Sequence, residues 1–217
     1  MKIWNSTTLL ILFLLIATSS CGKKEKVPVA IITTEFGEIT MTLSDKTPKH
    51  TANFVKLVKE GYYDSLKFHR VVKDLIIQTG DPKTRAHNPK EIKDHSLIPA
   101  EFDESLFHKK GALAAARYDN PAKSSDPTQF YIVHGKKFKD RDLDIIEGQT
   151  GRYIPKDQRE VYKELGGVPH LDQNYTVFGE VIDGLNIVDV IATSEVSENG
   201  VPLKDVIMSV RLDTISR

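Results

Sequence analysis

A positive charge and an amide lie within an apolar stretch of this chain, between Phe68 and Asp81. The stretch is Phe-His-Arg-Val-Val-Lys-Asp-Leu-Ile-Ile-Gln-Thr-Gly-Asp, with Arg70 in one strand-like run and Gln78 in the next. An arginine is permanently charged and presents several N–H groups at once. The layout favours a site that holds an apolar group beside a fixed hydrogen-bond donor.

Motifs for several other chemistries are missing from the sequence. It has no glycine-rich phosphate loop, no Cys-x-x-Cys pair and no His-x-x-x-His helix, and its seven histidines lack metal-ligand spacing. The Ser124-Ser125 pair lies in a loop rich in Pro, Asp and Lys, without the context of a nucleophile elbow. We therefore expect neither a hydrolase nor a metal or cofactor site.

The composition is that of one globular domain with a balanced charge. The chain has 217 residues, of which 40% are hydrophobic, and 30 Lys and Arg residues match 30 Asp and Glu residues. Because no net field favours a polyanion, we expect no nucleic-acid partner.

The N-terminus has the pattern of an export signal. Lys2 precedes an apolar run from Leu9 to Ala17, which is too short for a bilayer core that needs about 20 residues. The only cysteine, Cys21, follows Thr18-Ser19-Ser20 and resembles the lipobox cysteine of bacterial lipoproteins, which is lipidated after cleavage. We predict a signal peptide over residues 1–20 and a tether over 21–28. An ordinary secretory signal or an uncleaved anchor is the alternative.

The predicted location follows from the residue after the cysteine. Gly22 stands where an aspartate would resemble an inner-membrane retention signal. We therefore predict a cell-envelope lipoprotein in the outer membrane, facing the periplasm.

Residues 29–217 show the pattern of one domain built from many short strands. A hairpin is indicated over 29–43, followed by a helix with Thr47 as N-cap, Pro48 at its first position and Gly61 as its stop. Further strands are predicted over 68–72, 75–78, 113–116, 130–134, 176–181 and 206–215, and a second helix over 185–192. This pattern favours a closed antiparallel barrel or a sandwich over a doubly wound sheet.

Four blocks in this order resemble the cyclophilins over roughly residues 29–215. They are Phe68 to Asp81, Gly111-Ala-Leu-Ala-Ala-Ala116, Thr128-Gln-Phe-Tyr-Ile132 and Leu171-Asp-Gln-Asn-Tyr-Thr-Val-Phe-Gly179. The resemblance implies a peptidyl-prolyl cis-trans isomerase with a mainly β fold, a closed eight-stranded antiparallel barrel capped by two helices. Its expected partners are proline-containing unfolded or exported polypeptides, bound by a monomer.

The resemblance also implies the site residues. Arg70 and Gln78 correspond to the catalytic positions, and the substrate-binding set is Leu75, Ile76, Ala116, Arg117, Gln129, Tyr131, His170, Leu171 and Tyr175. Ala116 and Arg117 fall where the family lays its backbone against the substrate, so the Arg117 side chain is expected to matter little. A peptide-binding or chaperone module without turnover is the alternative function.

Four positions depart from the best-studied relatives. Leu75 and Tyr131 stand in place of phenylalanine, His170 in place of tryptophan and Tyr175 in place of histidine. Leucine and tyrosine still provide an apolar wall for proline. His170 replaces a large indole with a smaller polar ring, which argues against tight cyclosporin binding.

Residues 135–167 are predicted to be a charged surface insertion with one helix near Lys156 to Leu165. We expect this insertion to be a solvent-exposed excursion without a functional role. The insertion enters between the strand of Tyr131 and the loop of His170 and Leu171, so the alternative hypothesis is that it rims the cleft.

Overall fold

Antiparallel strands form the framework of the molecule. The computed structural model describes residues 26–85 and 95–216. Within these ranges the strands are β1 (Lys26–Thr34), β2 (Gly37–Leu43), β3 (Leu66–Lys67), β4 (Arg70–Val72), β5 (Ile76–Thr79), β6 (Ala112–Ala115), β7 (Phe130–Val133), β8 (Val177–Asp183) and β9 (Ile207–Ser216). They form one nine-stranded sheet in the order β3-β9-β1-β2-β8-β6-β7-β5-β4.

The two outer strands of this sheet, β3 and β4, are the ends of one bent segment. β3 pairs with β9 and β4 pairs with β5, and only Phe68 and His69 lie between them. The N–H of Phe68 donates to the carbonyl of Val206 (3.0 Å) and that of His69 to the carbonyl of Gln78 (3.1 Å). The segment thus links both edges of the sheet, and the barrel has eight strands when β3 and β4 are counted as one. The predicted fold class is confirmed in this form.

Alternation along the strands separates two hydrophobic clusters. On β7, Phe130 and Ile132 belong to the main core inside the barrel, whereas Tyr131 and Val133 point the other way into a second cluster. Successive side chains of a strand point to opposite faces, so a strand covered on both faces is apolar throughout. This explains the continuous apolar runs in β6 and β7.

The described residues contain four α-helices: α1 (Pro48–Lys59), α2 (Asp140–Thr150), α3 (Lys156–Glu164) and α4 (Leu185–Ala192). The predicted helices α1 and α4 are confirmed, and both pack against the main core. Phe54 of α1 contacts Tyr63, Phe130 and Phe178, with ring centroids 5.3, 5.4 and 5.5 Å apart. Val188 and Ile191 of α4 are fully buried in the same core.

The first turn of α1 is capped by a distant glutamate. Thr47 is at the predicted N-cap position, but its buried hydroxyl has no hydrogen-bond partner among the residues described. The carboxylate of Glu101 instead accepts from the backbone N–H groups of Lys49 (3.1 Å) and His50 (3.0 Å). Unpaired N–H groups at a helix start are thus satisfied from a loop 51 residues away.

The insertion differs from its prediction in two respects. It contains two helices rather than one, and it has a small core of its own, in which Leu143, Ile154 and Tyr162 are buried. Its ends meet closely, because a Cβ on Gly135 would lie 2.5 Å from the Cα of Gly167. The insertion is therefore a packed helical hairpin with adjoining ends, and not a solvated excursion.

The first strand begins within the range predicted as a tether. Residues 26–28 belong to β1, where Val27 pairs with Ile215 and Pro28 with Thr214. The predicted signal peptide over 1–20 and Cys21 lie outside the described residues. In residues 26–85 and 95–216, no helix has the length and apolar character needed to span a membrane.

Candidate active site

A second hydrophobic cluster, the outer cluster, lies on the outer face of β5, β6, β7 and β8. Its buried members are Ile76, Ala112, Ala114, Ala116, Tyr131, Val133, Val168 and Val177, and its partly buried members are Leu75, Leu106, Leu171 and Tyr175. All six apolar or aromatic residues predicted to contact substrate belong to it, namely Leu75, Ile76, Ala116, Tyr131, Leu171 and Tyr175. The structure therefore brings together residues that are up to 100 positions apart in sequence.

A chain of polar side chains runs along one side of this cluster. Arg70 and Gln78 are paired across β4 and β5, and the guanidinium donates to the Gln78 carbonyl oxygen at 3.4 Å. The Gln78 amide donates to Gln129 (3.1 Å), whose amide donates to the hydroxyl of Tyr118 at 3.5 Å. Arg70 is exposed, so its remaining N–H groups are accessible to a ligand.

Gln129 is held by its own loop. The carboxylate of Asp126 accepts from the backbone N–H groups of Thr128 (2.8 Å) and Gln129 (2.9 Å). The carbonyl of Gln129 in turn accepts from the N–H of Ala116 at 2.9 Å. These contacts preorganise the amide that meets Gln78, because they fix the backbone on both sides of it.

Arg117 has a structural role that the sequence did not predict. Its side chain is only 11% exposed, donates to the carbonyl of Asn174 (2.9 Å) and lies over the ring of Tyr175, 4.8 Å from its centroid. A guanidinium at this distance from an aromatic face is attracted to the ring. Arg117 thereby fixes Tyr175 at the edge of the outer cluster.

His170 is a predicted binding residue that does not belong to the outer cluster. It lies in the 3-10 turn Pro169–Leu171, between buried Pro169 and partly buried Leu171, and it is exposed. The structure therefore places His170 at the rim, in contact with solvent.

Two residues that the sequence did not single out hold Tyr131, His108 by direct contact and Asp172 through His108. Its hydroxyl lies 2.9 Å from Nε2 of buried His108, whose Nδ1 lies 2.9 Å from the carboxylate of Asp172. Burial raises the pKa of the Tyr131 phenol well above its ordinary value, so the hydroxyl keeps its proton. The sequence contains one signal for a residue such as His108. A tyrosine buried in an apolar cluster needs a hydrogen-bond partner for its hydroxyl.

The loop before Gln129 is also tied to α1 by a buried histidine. His50 Nδ1 lies 2.7 Å from the Glu101 carboxylate and Nε2 lies 3.0 Å from the Ser125 hydroxyl. Because the carboxylate accepts, Nδ1 carries the hydrogen and the neutral ring accepts from Ser125. Desolvation lowers the pKa of His50 even though Glu101 opposes this.

This pKa shift predicts a loss of stability in mild acid. Below about pH 6.5 the unfolded chain takes up a proton at His50 before the folded protein does, so the free energy of unfolding falls as the pH falls. Each such histidine contributes a slope of at most about 1.4 kcal/mol per pH unit. Urea unfolding between about pH 7.5 and 5.5 measures the slope, which we expect to be shallower in His50→Gln. The control is Lys56→Gln on the exposed side of α1, and equal slopes for wild type and His50→Gln would contradict the assignment.

Comparison with known proteins identifies the family. The family model for cyclophilin type peptidyl-prolyl cis-trans isomerase/CLD matches residues 29–212. A Staphylococcus aureus (strain COL) protein that bears the name peptidyl-prolyl cis-trans isomerase is 35% identical over 179 residues, which cover 82% of this chain and 87% of that protein. A Streptococcus pyogenes serotype M6 protein, named as a bifunctional phosphatase and isomerase, is 35% identical over 184 residues; these cover 83% of this chain but only 37% of that protein.

A solved structure shares the fold. The crystal structure of a Cryptosporidium parvum cyclophilin type peptidyl-prolyl cis-trans isomerase, in the presence of the dipeptide Ala-Pro, matches with a TM-score of 0.62 at 21% identity. The match covers 87% of this chain and 98% of that one.

The chain therefore belongs to the cyclophilin-type peptidyl-prolyl cis-trans isomerases. The enzyme class that the four sequence blocks indicated is confirmed at the level of the family.

Proposed function

We propose that this protein isomerises Xaa-Pro bonds in exported polypeptides at the cell envelope, with Arg70 as the catalytic donor. The observation that carries the proposal is the polar chain of Arg70, Gln78 and Gln129 beside the outer cluster. This is a fixed cation next to an apolar surface, which suits a planar amide attached to a proline ring.

The chemistry required is a rotation without bond cleavage. Amide resonance opposes rotation with a barrier of about 20 kcal/mol, and uncatalysed isomerisation takes roughly tens of seconds. Twisting the amide makes the prolyl nitrogen lone pair available as an acceptor. A donor aimed at that nitrogen makes its contact only in the transition state, and such a contact lowers the barrier. Gln78 orients Arg70 for this role by accepting one of its N–H groups.

The outer cluster supplies the grip on the ring. Ile76, Tyr131 and Leu171 hold the proline while the preceding carbonyl swings, and Leu75 and Tyr175 complete the wall. Removing the polar amide from water strengthens each electrostatic contact made to it. His170 borders this surface from the solvent side.

A strip of free backbone lies beside the pocket at Arg117. The N–H and carbonyl of Ala116 are already bonded to Gln129 and Asp126. Among the described residues, none is hydrogen-bonded to the backbone N–H or carbonyl of Arg117. A bound peptide in extended conformation would pair with these two groups, as a strand pairs with a sheet edge.

The ligand class is supported by the Cryptosporidium protein, which was crystallised in the presence of Ala-Pro. The test is isomerisation of a tetrapeptide containing Ala-Pro, followed by NMR exchange spectroscopy with and without the protein. We expect exchange that is faster in proportion to protein concentration. Binding of the peptide at the uncatalysed rate would contradict the proposal and favour the peptide-binding or chaperone module.

The envelope location rests on the signal pattern and on Cys21. Five residue steps separate Cys21 from the start of β1 at Lys26, so a lipid on Cys21 would hold the barrel within roughly 18 Å of its attachment point. We expect Cys21→Ser to release the protein from the membrane fraction, because the lipid has no other attachment site. Fractionation of cells that express the full chain measures this, with Ser20→Ala as the control. Membrane retention of Cys21→Ser would contradict lipidation.

A further inference from the structure

A buried carboxylate joins the insertion to the wall of the cleft. The side chain of Asp172 is 1% exposed and directly follows Leu171. One of its oxygens accepts from the backbone N–H of His108 (2.8 Å) and from His108 Nδ1 (2.9 Å). The other accepts from the Tyr162 hydroxyl (2.7 Å) and is paired with Arg152. We refer to Arg152, Tyr162, His108 and Asp172 as the Asp172 network.

Two of the three residues that bind this carboxylate come from the insertion. Arg152 lies between α2 and α3, and Tyr162 lies within α3. A buried carboxylate without such partners is strongly disfavoured, and removal of one partner leaves the charge uncompensated. The position of Asp172, and of Leu171 beside it, therefore depends on the insertion.

The network ends at the wall of the proline site. Nδ1 of His108 faces a carboxylate, so Nδ1 carries a hydrogen and donates it to Asp172. The other ring nitrogen, Nε2, shares a hydrogen bond of 2.9 Å with the Tyr131 hydroxyl. A hydroxyl in α3 and a hydroxyl in β7 are thus connected through two intervening side chains, Asp172 and His108.

We propose that the α2–α3 hairpin is a structural part of the cleft, and that the Asp172 network acts as a set of positioning residues for Tyr131 and Leu171. The inference rests on the proposed function, since it assigns the outer cluster to proline. It also explains the tyrosine at position 131, whose hydroxyl supplies an anchor that a phenylalanine lacks.

The test is a double-mutant cycle between the two hydroxyls at the ends of the network. Tyr162→Phe removes one hydroxyl from the buried carboxylate and leaves the ring in place. We expect it to weaken binding of an Ala-Pro tetrapeptide to the full chain by about three- to tenfold, the effect of one lost hydrogen bond. The exchange rate of the bound peptide is expected to change less than about twofold, because Arg70 is not in contact with the network.

The coupling between the Tyr162 and Tyr131 substitutions distinguishes a positioning role of the network from general structural damage. In the Tyr131→Phe background the anchor to His108 is already absent, so Tyr162→Phe is expected to weaken binding by less than about 1.5-fold. The imidazole ¹⁵N shifts of His108 provide a second readout and are expected to move in Tyr162→Phe. The control is Tyr153→Phe, which removes a hydroxyl from a side chain of the insertion that is 73% exposed.

A second pair of variants tests the charged partner. Arg152→Met is expected to weaken peptide binding at least as much as Tyr162→Phe. Arg159→Met is the matched control, because Arg159 pairs with Asp144 and Glu147 inside the insertion and does not contact Asp172. Additive effects in the Tyr131 cycle, or peptide affinities of the folded Tyr162 and Arg152 variants equal to those of their controls, would overturn the inference. A wild type that binds peptide without faster exchange would instead contradict the proposed catalysis, and the binding cycle would still test the network.

Discussion

Replacement of Arg70 with alanine is expected to lower kcat/KM for Xaa-Pro isomerisation by about ten- to a hundredfold. A charge-assisted hydrogen bond contributes about 1.5 to 3 kcal/mol, and each 1.36 kcal/mol corresponds to a factor of ten in rate. The contact to the prolyl nitrogen forms in the twisted amide, so kcat is expected to fall more than KM rises. Exchange spectroscopy on an Ala-Pro tetrapeptide separates the two parameters, because it gives the bound-state exchange rate and the affinity independently.

Two variants control for charge and geometry at Arg70. Arg211→Ala removes an exposed arginine of β9 that pairs with Glu38, and it is expected to leave kcat unchanged. Arg70→Lys retains the charge but not the planar set of donors that Gln78 orients, so an intermediate rate is expected. Equal rates for wild type and Arg70→Ala would show that the donor has no catalytic role.

Gly80→Ala is expected to lower both stability and activity. Gly80 follows β5 with φ of +96°, a conformation that disfavours L side chains, and an added Cβ would lie 2.2 Å from the carbonyl oxygen of Thr128 and 2.8 Å from the Cα of Gln129. Overpacking and backbone strain together are expected to cost about 2–4 kcal/mol of unfolding free energy. The displaced backbone is that of Gln129, so the hydrogen bond from Gln78 is expected to weaken and kcat/KM to fall.

Gly148→Ala is the matched control for this substitution. Gly148 is in α2, and an added Cβ would have no atom within 4 Å. Alanine at an exposed helix position is expected to stabilise the protein by up to about 1 kcal/mol. Urea unfolding measures both variants, and kcat/KM is compared at a temperature where both are folded. A Gly80→Ala protein as stable and as active as wild type would contradict the close approach of the two backbones.

Local patterns in the sequence predicted most of the fold. Every predicted strand is present, and the helix predicted over 185–192 has those bounds. Ile39 and Met41 of β2 alternate with polar residues, and both are fully buried, as a half-buried strand requires. Such patterns depend only on neighbouring residues in the chain, so they predict a strand or helix even when the segments that pack against it are unknown.

Helix α2 is an element that the local sequence pattern did not predict. Its sequence, Asp-Arg-Asp-Leu-Asp-Ile-Ile-Glu-Gly-Gln-Thr, contains Gly148 near its end and buries only Leu143. A helix with so narrow an apolar face has little local signal. It is stabilised by packing with Tyr162, Phe107 and Phe138 around Leu143, contacts that involve residues distant in the chain.

The sequence predicted which residues form the candidate site, but not the side chains that hold those residues in place. The four sequence blocks contain Arg70, Gln78, Gln129, Tyr131 and Leu171. The register of the sheet pairs Arg70 with Gln78 and Gln78 with Tyr131, whereas Gln129 and Leu171 lie outside the strands. Arg117 was expected to matter only through its backbone, yet its side chain fixes Tyr175. Side-chain contacts of this kind depend on the approach of two loops, which no local pattern encodes.

The sequence by itself determined the strand pattern, the family and the pairing of a cation with apolar residues around Arg70, because each depends on residue type and short spacing. Only the tertiary structure decided that the insertion contacts the segment bearing Leu171 and Asp172, and that Asp172 connects Arg152 and Tyr162 to the hydroxyl of Tyr131 through His108. The physical reason is that a buried carboxylate takes its partners from whichever segments the fold brings within hydrogen-bond distance, whatever their separation in the chain.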